Sequence, residues 1–169
     1  NELFLLDSGQ NKYVLKKYNS ILPREKILPS IYIQKYLAAK GISPRVIFYN
    51  TDTPAFMLQE YIKFKDIQSL SLCGELLGKM HLHLAEYRGL LPSTYIPNDE
   101  ILTVSENRLT EGQRELLRLK HLLSYKTAKL PELNRQVIHG DYHSGNLLHG
   151  DTDYVIDFDE SKIYFRVYD

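Results

Sequence analysis

The chain has one cysteine, Cys73, among its 169 residues. A lone cysteine excludes an intramolecular disulfide framework and suits a reducing compartment, so a cytoplasmic location is expected. Neither sign of charge is in excess, because 21 basic residues balance 21 acidic ones. The electrostatic footprint of a protein that works on nucleic acid or on a membrane surface is therefore missing. No apolar run approaches the roughly 20 residues that span a bilayer. The opening Asn1-Glu2-Leu3-Phe4 lacks the basic flank and small-residue cleavage site of a signal peptide, and no initiator methionine precedes it, so a trimmed chain is expected. No internal repeat and no low-complexity tract appears. A chain of this length buries one good core, or two small lobes that share an interface.

One further absence is local. From Val137 to Ser161 there is no lysine or arginine, yet there are six acids: Asp141, Asp151, Asp153, Asp157, Asp159 and Glu160. Such a stretch attracts a hard cation. Within it lies Val137-Ile138-His139-Gly140-Asp141-Tyr142-His143-Ser144-Gly145-Asn146, a His-x-Asp-x-x-x-x-Asn pattern, and then Val155-Ile156-Asp157-Phe158-Asp159. Phosphoryl transfer asks a protein for positioning and charge neutralisation rather than covalent work. Asp141 is the candidate catalytic base that orients an attacking hydroxyl and takes its proton. Asn146, five residues on, and Asp157, eleven residues further, are the candidate Mg²⁺ ligands, since Mg²⁺ favours a few oxygen donors completed by phosphates and water. The gap from Leu147 to Ile156 suits one hairpin turning at Gly150-Asp151-Thr152-Asp153. Turns favour aspartate, which accounts for Asp151 and Asp153 but not for Asp157 and Asp159 after the β-branched run Tyr154-Val155-Ile156. His139 is expected to brace the loop; His81 and His83 are expected to be structural or exposed, and His143 and His149 to face solvent.

The segments before this stretch read in order. Leu3 to Leu6 and Lys12 to Tyr18 are strands around a turn-rich Asp7-Ser8-Gly9-Gln10-Asn11, a hairpin in which Val14 and Lys16 share one face. A helix follows from Pro23 or Pro29 to Gly41, with Ile33, Tyr36 and Leu37 as its apolar stripe. Pro29 disfavours one continuous helix from residue 24, so the helix proper is expected to begin there. Arg45 to Tyr49 and Ala55 to Tyr61 form a second strand pair around Thr51-Asp52-Thr53-Pro54. Residues 1–62 thus read β-β-α-β-β, an N-terminal lobe, and 63–169 a second, mainly helical lobe. Asp66 is placed as the N-cap of a long helix to Glu86, with Leu70, Cys73, Leu77, Met80 and Leu84 on one face. Residues 87–108 read as irregular, and Thr110 to Tyr125 as an amphipathic helix. A lysine on a central strand is ill placed for a core but reaches nucleotide phosphates, which makes Lys16 the candidate phosphate contact. The strand leaving the first lobe offers backbone groups to a purine edge, and Glu60 and Ile62 are the candidates there.

These residues carry a resemblance. Val137 to Leu148, Val155 to Asp159, Tyr13 to Lys17 and Leu58 to Ile62 resemble the catalytic loop, metal segment, lysine strand and hinge of the aminoglycoside phosphotransferase and choline kinase superfamily, a branch of the protein-kinase-like fold. Leu77-Gly78-Lys79-Met80-His81 and the terminal Tyr168-Asp169 resemble further family elements. Gly140, where protein kinases usually have arginine, points to the small-molecule branch. The resemblance implies an α+β, two-lobed kinase that uses ATP or GTP with Mg²⁺ and phosphorylates a hydroxyl of a small molecule; aminoglycosides, choline, ethanolamine, homoserine, thiamine and sugar derivatives are the acceptor classes. It implies Asp141 as base, Asn146 and Asp157 as metal ligands and Lys16 as phosphate contact. It also implies three departures. The initial strand and phosphate-covering loop would lie before residue 1. The helix glutamate that pairs with the lysine would fall near Ser30, with Glu25 the nearest acid. Large-lobe helices would follow Asp169, so the fold is expected to be incomplete at both ends. Two other classes stand beside the kinase: a non-catalytic nucleotide-binding, pseudokinase-like protein, and a metallohydrolase that uses His139-x-Asp141-x-His143 as ligands.

Overall fold

Turn chemistry sets the first hairpin. The Asp7 carboxylate accepts from Gly9 N–H at 2.8 Å and Ser8 N–H donates to the Asn11 carbonyl at 3.0 Å, with Gly9 at a φ of +81°. In this computed structural model the strands on either side are β1 (Glu2–Asp7) and β2 (Lys12–Lys17), paired antiparallel with Leu5 opposite Val14 and Leu3 opposite Lys16. The structure describes residues 1–66, 69–92, 118 and 135–169. All of them except residue 118 lie in one compact unit made of residues 1–94 and 135–169, while residues 95–134 make a second unit.

Two more strands, β3 (Val46–Asn50) and β4 (Phe56–Glu60), complete an antiparallel sheet of order β1-β2-β4-β3. The pleat turns Lys16 inward, where it is buried, and Lys17 outward, as the alternation predicts. Between the hairpins runs α1 (Arg24–Ala38), continuous from residue 24. The expected start at Pro29 is therefore corrected. Pro23 serves as N-cap, and its carbonyl accepts from Lys26 and Ile27. Pro29 sits so near the N-terminus that its missing N–H leaves only the Glu25 carbonyl without its helical donor, and the burial of Ile27, Pro29 and Ile31 holds the turn. Past the helix Gly41, at a φ of +71°, lets Ile42 N–H return to the Leu37 carbonyl at 2.9 Å.

The chain then pairs briefly through β5 (Lys65–Asp66) with the hairpin of β7 (Leu147–His149) and β8 (Asp153–Val155). Asp66 is thus a strand residue, not a cap. The N-cap of α2 (Leu70–Glu86) is Ser69, whose hydroxyl accepts from Leu72 N–H at 3.3 Å. The buried face of α2 is Leu76, Met80, His81 and Leu84, whereas Leu70, expected in the stripe, is 90 % exposed. The last pair is β6 (Arg135–Ile138) with β9 (Lys162–Phe165), which brings the two ends of the acidic stretch together. Residues 87–92 carry neither helix nor strand. The rest of the irregular stretch to 108 and the helix expected at Thr110 to Tyr125 lie outside the described residues, Arg118 apart.

One apolar cluster joins α1 (Ile33, Leu37), α2 (Leu76, Met80, Leu84) and the hairpin (Leu147, Val155), with Phe158 beneath the acidic segment. A smaller one, Tyr18, Ile27, Ile31 and Met57, glues α1 to the sheet. No helix among the described residues is long and apolar enough to cross a membrane. Met80→Ala, at a fully buried position, is expected to lower unfolding free energy by about 2–5 kcal/mol, and Leu70→Ala by no more than about 0.5 kcal/mol. Urea unfolding of the two variants checks which residues of α2 face the core.

Candidate active site

The loop after β6 has little regular hydrogen bonding, so its polar groups need other partners. His139 is fully buried and donates from Nε2 to the Ile156 carbonyl at 2.9 Å, while its Nδ1 accepts from Asp141 N–H at 3.3 Å. Burial pushes the imidazole pKa below its ordinary value, in keeping with this neutral ring. Asp169 caps the same loop from outside: its carboxylate accepts from His139 N–H at 2.8 Å, from Gly140 N–H at 2.7 Å and from His81 Nε2 at 2.9 Å. Burial opposes the charge on Asp169, but the bonds from His81, Gly140 and His139 outweigh it and hold the carboxyl below its ordinary range. Gly140 stands at a φ of +83°, and a Cβ there would collide with the Glu160 carbonyl. Tyr142 fastens the loop to α2 by donating to the Cys73 carbonyl at 2.6 Å.

Braced in this way, the loop presents Asp141 at the rim, its side chain 55 % exposed. Asn146 is buried, and its Nδ2 donates to the Asp141 carbonyl at 3.0 Å, which leaves Oδ1 as its free acceptor. Ile156 N–H donates to the Asn146 carbonyl at 3.0 Å, so Asp157 emerges from the hairpin beside Asn146. Asp157 has a φ of 65°, a left-handed conformation that costs a non-glycine residue free energy and that aspartate tolerates better than most. His143 is exposed, as expected, and its Nε2 sits 3.5 Å from Asp141 Oδ2 and 3.2 Å from Asn146 Nδ2. His149 is half exposed and bonds Asp153 at 2.6 Å, and His81 is structural through Asp169.

Lys16 reaches this segment from β2. Its side chain is 8 % exposed, and Nζ lies 2.8 Å from Asp157 Oδ1 and 2.7 Å from Asp159 Oδ2. Burial opposes the Asp157 charge, but the Lys16 ammonium, by charge and by hydrogen bond, holds the carboxyl below its ordinary range. Of the two positions considered for a helix partner, Ser30 is buried and bonds the Ile27 carbonyl at 2.9 Å, and Glu25 is exposed in the first turn of α1. Both partners of Lys16 come from the acidic segment instead.

Lys16 and Asp157 line a cavity of about 580 Å³ together with Val14, Met57, Leu147, Ile156, Glu60 and Ile62. Glu60 N–H donates to the Arg45 carbonyl at 3.0 Å, and its carboxylate binds Arg45 N–H at 2.8 Å and Nε at 2.9 Å, so neither group is directed at a ligand. A smaller cavity of about 220 Å³ is lined by Asp141, Asp157, Asp159 and Glu160. The donors fit Mg²⁺ by chemistry: a carboxylate on Asp157 and an amide oxygen on Asn146, whose Nδ2 is engaged by the Asp141 carbonyl, are hard oxygen ligands. The His-x-Asp-x-His reading does not fit, because both His139 nitrogens are already engaged inside the protein.

A family model described as the phosphotransferase enzyme family matches residues 1–169. Three solved structures share the fold. Choline kinase LicA from Streptococcus pneumoniae has a TM-score of 0.71 at 16 % identity, over 99 % of this chain and 62 % of its own. A thermostable mutant of aminoglycoside phosphotransferase APH(4)-Ia has 0.66 at 16 %, over 99 % and 70 %. The streptomycin-ATP-APH(2")-IIa ternary complex has 0.63 at 19 %, over 100 % and 69 %. The chain thus spans 62 % to 70 % of the length of these three structures. None of the curated proteins matches the sequence.

Gly140→Ala is expected to cost about 2–4 kcal/mol of stability, since a strained φ and a backbone collision combine there; chemical denaturation checks it. A histidine with a depressed folded pKa contributes stability that is complete above its unfolded value of about 6.5 and is lost as pH falls toward the folded value. The melting temperature is therefore expected to drop between pH 7.5 and 5.5, and to drop less in His139→Asn, as a pair of thermal melts on each protein would show.

Proposed function

The chain belongs to the phosphotransferase enzyme family, and on that premise we propose that it transfers the γ-phosphate of ATP or GTP to a hydroxyl of a small-molecule acceptor. The observation that carries this reading is that two carboxylates line one small cavity: Asp141, exposed on a braced loop, and Asp157, held against Lys16. Asp141 receives the hydroxyl proton as the oxygen attacks phosphorus. Asn146 and Asp157 hold Mg²⁺, which when bound supplies neutralisation of the phosphate charge. Lys16 steadies the phosphates from the sheet side. Ile62, and the backbone of Glu60 through its carbonyl, border the purine.

Residues 1–62 form the nucleotide lobe and 63–169 the lobe that carries the catalytic loop. The ATP of the APH(2")-IIa complex and the antibiotic and choline names of the relatives support nucleotide and acceptor classes of this kind. A cytoplasmic setting, where Cys73 stays reduced, belongs to the same reading. One observation favours a second reading, a nucleotide-binding protein without turnover: α1 offers Lys16 no carboxylate.

Asp141→Asn is expected to lower turnover by about 10²–10⁴-fold while nucleotide affinity stays within about threefold. Asp157→Asn is expected to abolish the Mg²⁺ dependence of nucleotide binding. An acceptor-panel kinase assay with titrations of ADP in Mg²⁺ and in chelator tests both. Unchanged turnover in Asp157→Asn would remove the metal assignment, and nucleotide binding without turnover on any acceptor would favour the second reading.

A further inference from the structure

Lys16 is almost wholly buried, and a buried ammonium is stable only with a counter-charge. Among the described residues its ion-pair partners are Asp157 and Asp159 alone. The single acid of α1, Glu25, is exposed. The two partners are not equivalent. Asp157 is 44 % exposed and opens onto both cavities, whereas Asp159 is 17 % exposed and lies closer, at 2.7 Å. Asp159 is also seated more firmly. It stands on the short 3-10 turn Phe158–Glu160, whose Phe158 is sunk in the core; each carboxylate accepts one further bond, Asp159 from Asn1 Nδ2 at 2.6 Å and Asp157 from the Asp159 main chain.

We propose that Asp159 is the positioning residue for Lys16, the fixed counter-ion that keeps the ammonium aimed into the nucleotide cavity while Asp157 serves a cation. This inference rests on the nucleotide-binding reading above. One carboxylate cannot fully neutralise both an ammonium and a divalent cation. With Asp159 in place, Lys16 retains an anion when Asp157 turns to the metal. Without it, ammonium and metal compete for Asp157, and Lys16 is drawn away from the phosphates.

The test is a set of calorimetric titrations of ADP into the full-length protein, in Mg²⁺ and in EDTA, for the parent, Asp159→Asn, Asp159→Glu, Lys16→Met and the Lys16→Met/Asp159→Asn double variant. Melting curves of each confirm the folded state. Asp159→Asn is expected to weaken ADP about tenfold in Mg²⁺ and less in EDTA, where Asp157 stays free to pair with Lys16, Asp159→Glu to recover at least half of the loss, and the same asparagine to change affinity less than twofold in the Lys16→Met background. An equal loss with and without Lys16 would overturn the proposal, and such a loss confined to Mg²⁺ would make Asp159 a metal ligand instead. If Lys16→Met weakens ADP and Asp159→Asn does not, this inference falls and the nucleotide reading stands. If the parent itself binds no ADP, the nucleotide reading falls with it.

Discussion

A charge removed from water must find its opposite nearby, and the described part of this protein is organised around that requirement at Lys16. The strand alternation of β2 sends the lysine inward, and the register with β4 sets Met57 opposite it. The acidic segment after β8 then supplies the two carboxylates. Separating such a pair by losing one partner is far more costly than replacing both with apolar groups. The contact therefore ties the sheet to the segment that carries Asp157, and the positive φ of Asp157 is sustained by the neighbours that hold it.

The loop bearing Asp141 depends on a second device. Its main-chain donors cannot all bond within the loop, and Asp169 takes two of them and a histidine besides. On the inner side His139 joins the loop to Ile156. The rim carboxylate is thus left exposed for chemistry while everything behind it is bonded. Under the proposed function this division suits a general base, since the carboxylate that would exchange a proton stays in contact with solvent while its support is fixed.

Much of this was readable beforehand, and the reasons differ by element. The hairpins were legible because turn formers and period-two alternation are local signals, and the site because Asp141, Asn146 and Asp157 lie within seventeen residues of one another and are brought together by one hairpin. The start of α1 was misread because a proline rule written for helix interiors weakens in the first turns, where few bonds are at stake. Asp66 was misread because a strand pairing with residues some eighty positions away outweighed a capping preference. The partners of Lys16 were not legible at all. Asp159 is 143 residues distant in sequence, and although the run Tyr154-Val155-Ile156 before it sets it apart from a turn acid, nothing local ties it to Lys16. The exposure of His143 was legible, while its distances to Asp141 and Asn146 depend on how the loop folds back.

The collision awaiting any side chain at Gly140 has a mechanical meaning. The main chain of the base-bearing loop rests directly on the main chain at Glu160, with nothing between them but the glycine hydrogens. The spacing between the loop at Gly140 and the turn at Glu160 is therefore a bare contact distance, and it acts as a gauge block. The Glu160 side chain is not what is being touched, and Phe158, sunk in the core, holds the turn in place. Drift in the surrounding sequence can reshape the walls of the site while the gap in which a phosphoryl group would travel keeps its width.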